Sequence, residues 1–258
     1  MNLTKIIWHG LVFFTILGLV GNVQAQPVGG PIFSNGEKEL TIGVDGGHFS
    51  KKIFGTENDS RRFFLKGSYG IGRLDFFGLV GIVNMELTLA DSAQTVLDDG
   101  YRIAYGGGAT LQLLQFEKLQ ASLFLTGQFF RFISKPAAEI LLSFGGAPAS
   151  QVLELNYDWR EADLSGGISK RIKSIIFYLG ASAKIIQRFE TKTEKLVFSG
   201  QSGVESMEKG EFNSGVLLSP LAGLDIHLPS RLKISMEITA RNEQDFAFYL
   251  GISQTGKP

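Results

Sequence analysis

"RLKISMEITAR" runs from Arg231 to Arg241, and every second residue in it is apolar: Leu232, Ile234, Met236, Ile238 and Ala240. Lys233, Ser235, Glu237 and Thr239 take the alternate positions. A period of two is that of a β-strand, so the stretch has one oily face and one charged face. The fold turns on which face meets water. A water-soluble domain buries the oily face. A strand of a closed membrane barrel turns it to lipid and carries the charges inside.

The same alternation recurs along the chain. "ELTIGVDGGH" sets Leu40, Ile42 and Val44 against Thr41, Gly43 and Asp45, and "RFFLKGSYGI" sets Phe63, Leu65, Tyr69 and Ile71 against Arg62, Lys66 and Ser68. In "DFFGLVGIVNMELTL" the oily row is Phe77, Leu79, Val83, Met85 and Leu87, against a row that ends in Asn84, Glu86 and Thr88. Ile103, Tyr105, Ala109, Leu111 and Leu113 stand against Arg102, Ala104, Gly106, Gly108, Thr110 and Gln112. Four further stretches, near 119–129, 175–185, 216–227 and 245–253, behave alike. The stretch from 152 to 170 is less regular. Ala162, Leu164 and Ile168 share one phase, while Leu153, Leu155, Tyr157 and Trp159 sit in the other. A β-bulge or a projection beyond the membrane would reconcile them. "PAAEILLSF" is a short helix candidate.

Connections sort by length. Tight ones fall at Gly72-Arg73, Phe116-Glu117-Lys118, Arg171-Ile172-Lys173 and Leu228-Pro229-Ser230. The alternate set contains long ones: "SKKIFGTENDS", "ADSAQTVLDDG", "ISKPAAEILLSFGGAPAS" and "TKTEKLVFSGQSGVESMEKG". Short turns at one end and long loops at the other are the signature of an outer-membrane barrel, with the turns and both termini in the periplasm. The reading is therefore all-β: a closed antiparallel transmembrane β-barrel of about 10 strands, with 8 or 12 as alternatives. Lipid offers no partner to an open sheet edge, so the sheet must close.

Composition agrees. Mean hydropathy is +0.11, with 32 Gly and 21 Phe against 7 Pro. The formal net charge of +0 gives no electrostatic case for nucleic acid, and a Cys count of 0 excludes disulfides and thiol ligands. At the start, Lys5 precedes an apolar run to Val20, and Val23-Gln24-Ala25 offers a cleavage site. Residues 1–25 read as a signal peptide, 26–37 as a periplasmic lead-in and 38–258 as the barrel.

The chain resembles the small outer-membrane β-barrels of Gram-negative bacteria, the OmpA-like and opacity-type porin superfamily. The resemblance rests on the signal segment, the alternating strands, "SYGIGRLDFFGLVGI", "READLSGGISKRI" and the closing "DFAFYLGIS". It implies a location in the cell outer membrane, contact with outer-membrane lipid and insertion by the barrel-assembly machinery. Such barrels commonly end on an aromatic residue, whereas this chain continues through "QTGKP".

The polar row expected to line the lumen holds Asp45, Lys66, Glu86, Arg102, Gly106, Glu161, Asp163, Lys184, Asp225, Lys233, Glu237 and Arg241. Both signs are present. They read either as an ion-pair network filling a narrow barrel or as the wall of a small conduit, with local space beside Ala104, Gly106 and Gly108. The expected function is a porin-like small-solute pore or a structural surface barrel with a charge-balanced lumen. The alternative is an adhesion or ligand-binding barrel acting through its outer loops, and a hydrolase ranks below both. His48 and His227 are the histidines after the signal, and neither shows Ser–His–acid spacing, so no catalytic residue, metal ligand or cofactor is expected.

Overall fold

The computed structural model describes residues 39–53, 56–88, 96–144, 147–198, 201–242 and 245–256. The expected signal peptide and lead-in lie outside the described residues. Eleven strands follow in order: β1 Leu40–Ile53, β2 Thr56–Ile71, β3 Leu74–Thr88, β4 Val96–Phe116, β5 Ala121–Ser134, β6 Ala137–Phe144, β7 Ala147–Ile172, β8 Ile175–Phe198, β9 Gln201–His227, β10 Leu232–Asn242 and β11 Asp245–Gly256. Sequential neighbours other than β5 and β6 pair antiparallel, β1 pairs β11, and a further pairing of β5 with β7 closes a ring of 10 strands that leaves β6 out. The expected barrel and its strand number are therefore as read from the sequence.

The opening stretch forms β10, where Leu232, Ile234, Met236 and Ile238 stay accessible on the outside. Lys233, Ser235 and Glu237 are buried inside. The same outward face continues as Leu65, Tyr69 and Ile71 on β2, Ile103 and Tyr105 on β4, Phe129 on β5, Leu164 and Ile168 on β7, and Leu179 on β8, all exposed.

Three local readings differ from the structure. β3 is turned over: Phe77, Leu79, Val83, Met85 and Leu87 point inward and are buried, while Phe76, Val80 and Ile82 are exposed outside. Both faces of this strand are apolar, so its period could not say which one the barrel encloses. The second concerns β7, which holds one uninterrupted register with β8 from Ala149↔Phe198 to Ile172↔Ile175. Leu153, Leu155, Tyr157 and Trp159 therefore share the inward phase with Glu161 and Asp163 without a bulge, because the interior itself changes from polar to apolar along the barrel. The helix candidate "PAAEILLSF" is the third, and it forms strand β6. β7 pairs with β5 up to Tyr157 and with β6 from Glu154, so β6 prolongs the line of β5. Pro136 marks the break, since proline has no N–H to give to the ladder; its carbonyl still accepts from Leu155 N at 2.9 Å.

The loop read as "TKTEKLVFSGQSGVESMEKG" is a hairpin prolonging β8 and β9, paired as far as Phe198↔Gln201. β7, β8 and β9 are 26, 24 and 27 residues long, against about 10 needed for a crossing. They rise together past the ring as a blade on its long-loop side.

Candidate functional site

Asp45, Lys66, Glu161, Asp163, Lys184, Asp225, Lys233 and Glu237 are all buried within the ring. Gly106 takes the inward phase of β4, in register with Leu79 of β3. Arg102 lies in register with inward Val83, yet its side chain is 46% exposed because it turns up to Asp99. Glu86 falls on the outward face, opposite Asp59, as a consequence of the turned-over β3. Arg241 falls at a register shift in β10, and its side chain lies outside the described residues.

Toward the tight turns the interior is polar and cross-linked in pairs. Lys233 Nζ donates to Asp225 at 3.1 Å, and Lys66 Nζ stands 3.8 Å from Asp45. Tyr249 OH donates to Asp45 at 2.5 Å and Tyr178 OH to Glu237 at 3.1 Å. Higher up, Glu161 collects Arg62 Nη2 at 2.6 Å, Trp159 Nε1 at 2.8 Å and Lys184 Nζ at 3.3 Å. Arg62 is fully buried, and its guanidinium lies 4.7 and 4.8 Å from the ring centres of Phe49 and Phe130. A buried charge is tolerable only when it is paired and hydrogen-bonded, and this one is both.

Above Glu161 the interior becomes apolar. Phe64, Val83, Met85, Ala104, Phe130, Phe132, Tyr157, Trp159 and Ile186 form one cluster in which each is at most 3% exposed. Trp159 stacks on Phe132 with ring centres 5.9 Å apart, and Phe64 meets Phe130 edge-on at 5.5 Å. The space expected beside Gly106 and Gly108 is taken: Leu79 and Phe77 lie directly across from them on β3. A Cβ added at Gly106 would meet Leu79 Cδ1 at 3.2 Å, and one at Gly108 would meet Phe77 Cζ at 2.8 Å. The inward phase of β3 and the glycine row of β4 are thus one packing unit, bulk set against absence.

Two inner cavities measure about 20 Å³ each. One lies among Asp45, Lys66, Ser68, Lys233 and Tyr249, the other beside Phe49, Lys51 and Lys184. Each has room for about one water. The larger concavity, about 540 Å³, is open and lies on the blade, between Ile133, Lys135, Asn156, Asp158, Phe189 and Lys209. Beside it Asp158 takes a two-bonded fork from Arg131, at 2.8 and 2.9 Å, and a second arginine, Arg160, at 2.6 Å. Arg160 also lies 4.6 Å from the ring centre of Phe189.

Asp99 ties the long-loop end of β4 to the β5–β6 junction. It accepts from Arg102 Nε at 2.6 Å, from Ser134 Oγ at 2.9 Å and from the backbone N–H of Lys135. Burial pushes its carboxyl up, but these donors together outweigh that and hold it below the ordinary 3.8.

His48 sits on the outward phase of β1, 1% exposed, with its ring 5.6 Å from Phe246. Its Nδ1 is 3.2 Å from Asp59 Oδ1, an acid across the β1–β2 hairpin that alternation alone did not pair with it. Among the described residues Nε2 has no hydrogen-bond partner, so no Ser–His relay is assembled there. His227 is half-buried at the tight-turn end, in the inward phase with Asp225. Among the described residues no cluster of three or more His or acidic side chains could hold a metal ion.

No protein-family model matches the chain, and no curated protein sequence does. Solved structures do. The transport unit of the autotransporter AIDA-I from Escherichia coli shares 9% identity over 95% of this chain and 97% of its own, with a TM-score of 0.44. The outer-membrane protease OmpT from Escherichia coli shares 10% over 87% and 97%, at 0.44. The attachment invasion locus protein Ail of Yersinia pestis, solved with the heparin analogue sucrose octasulfate, shares 13% over 86% and 98%, at 0.34. At these identities the likeness is one of architecture, and none of the activities in those descriptions transfers with it.

Proposed function

We propose that this chain is an outer-membrane surface barrel that conducts no solute through its lumen and acts through the blade raised by β7 to β9. One observation carries the reading: strands all round the ring send a buried side chain into its interior. Phe49, Arg62, Val83, Ala104, Phe130, Trp159, Ile186, Leu217, Glu237 and Ala247 come from ten different strands, and none is more than 8% exposed. A water-filled channel running past them would leave them wet. Of the functions expected from sequence, the structural or ligand-binding surface barrel gains support and the small-solute pore loses it.

The membrane reading is supported by the exposed apolar band around the ring, which a water-soluble protein would cover. Export rests on the signal-like residues 1–25. The direction of insertion rests on loop length, with tight turns in the periplasm and the blade outside. The open cleft beside Phe189 and Lys209 offers a surface ligand a concavity on the blade.

Planar-bilayer recording of the refolded chain tests the central claim. A barrel with confirmed β circular dichroism should stay electrically silent. Discrete steps that disappear when Gly106 is enlarged would replace this reading with a lumenal pore.

A further inference from the structure

Each tight turn carries an exposed cation. Arg73 lies between β2 and β3, Lys118 between β4 and β5, Lys170, Arg171 and Lys173 at the β7–β8 turn, and Arg231 between β9 and β10. The acids described at this end are Glu117, which is exposed, Glu39, which is half-buried, and Asp75 and Asp225, which are buried inside the ring. Among the described residues no carboxylate pairs with Arg73, Lys118, Lys170, Lys173 or Arg231.

The opposite end mixes the two signs: Arg102, Arg131, Arg160, Lys192 and Lys195 all pair with acids there. Asp59, Glu86 and Asp98 stand directly across from one another on β2, β3 and β4. A row of like charges is unfavourable by itself, and cations at that end have carboxylates paired with them, as Arg73, Lys118, Lys170, Lys173 and Arg231 among the described residues do not. The formal net charge of +0 therefore hides a tight-turn end at which exposed cations outnumber exposed acids.

The cations are also placed beside grease. Ile71 is 56% exposed two residues before Arg73, Phe116 and Leu119 flank Lys118, Ile172 sits between Arg171 and Lys173, and Leu228 precedes Arg231. A surface for a soluble polyanion would gather its cations into one polar patch. Here they run around the circumference, each next to an apolar side chain. That is the arrangement met by a lipid, with acyl chain on the one and phosphate on the other.

We propose that the tight-turn rim binds the phosphate headgroups of anionic phospholipid in the leaflet it faces, phosphatidylglycerol being the probe. The proposal rests on the membrane-spanning reading above. Phosphatidylglycerol gathers at the rim in preference to zwitterionic phosphatidylcholine, and the preference comes from the turn cations. Each cation near an anionic surface contributes about fivefold.

The full chain is folded into phosphatidylcholine vesicles carrying a small fraction of spin-labelled phosphatidylglycerol or phosphatidylcholine, and the protein-bound fraction of each label is read. The expected result is enrichment of phosphatidylglycerol that falls about tenfold or more in R73Q/K118Q/K173Q/R231Q. In the wild-type chain it should also fade with added salt as the screening length shrinks to about 3 Å at 1 M. The salt arm keeps the proposal testable if the quadruple variant does not fold. K192Q/K195Q, which removes cations on the blade, should leave the preference intact. A barrel that inserts yet takes both lipids alike overturns the proposal alone, as does equal binding of soluble glycerol phosphate or loss of the preference in K192Q/K195Q. A chain that never enters the vesicle overturns the membrane reading beneath it.

Discussion

Glu161 accepts from arginine, lysine and tryptophan at once, in an interior with little water to replace any of them. Glu161→Gln leaves Arg62 charged, fully buried and short of its counter-ion. Losing one partner of a buried pair typically costs about 3–5 kcal/mol. Urea unfolding in micelles should show a loss of that order, while Arg62→Met with Glu161→Leu should recover much of it, because the pair is surrounded by apolar rings that would pack against the replacements. Asp99 is the corresponding residue outside the apolar band, beyond Tyr101 on β4. Its folded pKa is depressed below 3.8, with burial opposing and hydrogen bonds winning. A depressed carboxyl adds stability that is present above the unfolded pKa and lost as pH falls through the folded one. Protection of the Lys135 amide from hydrogen exchange should therefore hold at neutral pH and fall only below about pH 4. Asp99→Asn should remove the pH dependence and leave the amide less protected throughout.

At the scale of the element, the sequence was most legible where a strand is apolar on one face only. β10 could be read outright: its charges needed an interior, and its leucine, isoleucines and methionine needed lipid. β3 could not. Phe76, Val80 and Ile82 are as oily as Phe77, Leu79 and Val83, and only the glycines of the neighbouring β4 decide between them. That information lies across strands, in Gly106 and Gly108 opposite Leu79 and Phe77, and no period within β3 contains it. β6 departs from its helical reading because six of its eight residues are Ala, Leu, Ile or Glu, a composition that suits a helix locally, whereas an existing β7 edge offers them a ladder. The corrected phase of β3 makes a prediction. Leu79→Ala should cost about 2–5 kcal/mol in unfolding experiments, as for a core leucine. Val80→Ala, one residue on, should cost clearly less, since the valine is 52% exposed on the outer face. Equal costs would return β3 to the phase its sequence suggested.

The whole molecule combines a closed interior with two unlike ends. Apart from Glu86, which falls outside, and Arg102, which turns up to Asp99, the inward charges were legible one by one, because charges on an otherwise oily strand have few places to go. That they stop halfway and give way to an aromatic plug was not, since the plug is assembled from inward residues of strands far apart in sequence. The function follows from that division: if the interior is filled, the surfaces that remain are the rim and the blade. Their placement on opposite sides of the membrane can be measured directly, because the chain has no cysteine of its own. Ser206→Cys lies in the exposed β9 part of the blade hairpin, and Ser230→Cys lies in the exposed turn between β9 and β10. In intact cells a membrane-impermeant maleimide should label the first at once, and reach the second only after the outer membrane is opened. The two sites are separated by the full length of the ring, so their order of labelling depends on the direction of insertion and on little else. The reverse order would keep the barrel but invert it, putting the blade in the periplasm and the cationic rim against the outer leaflet.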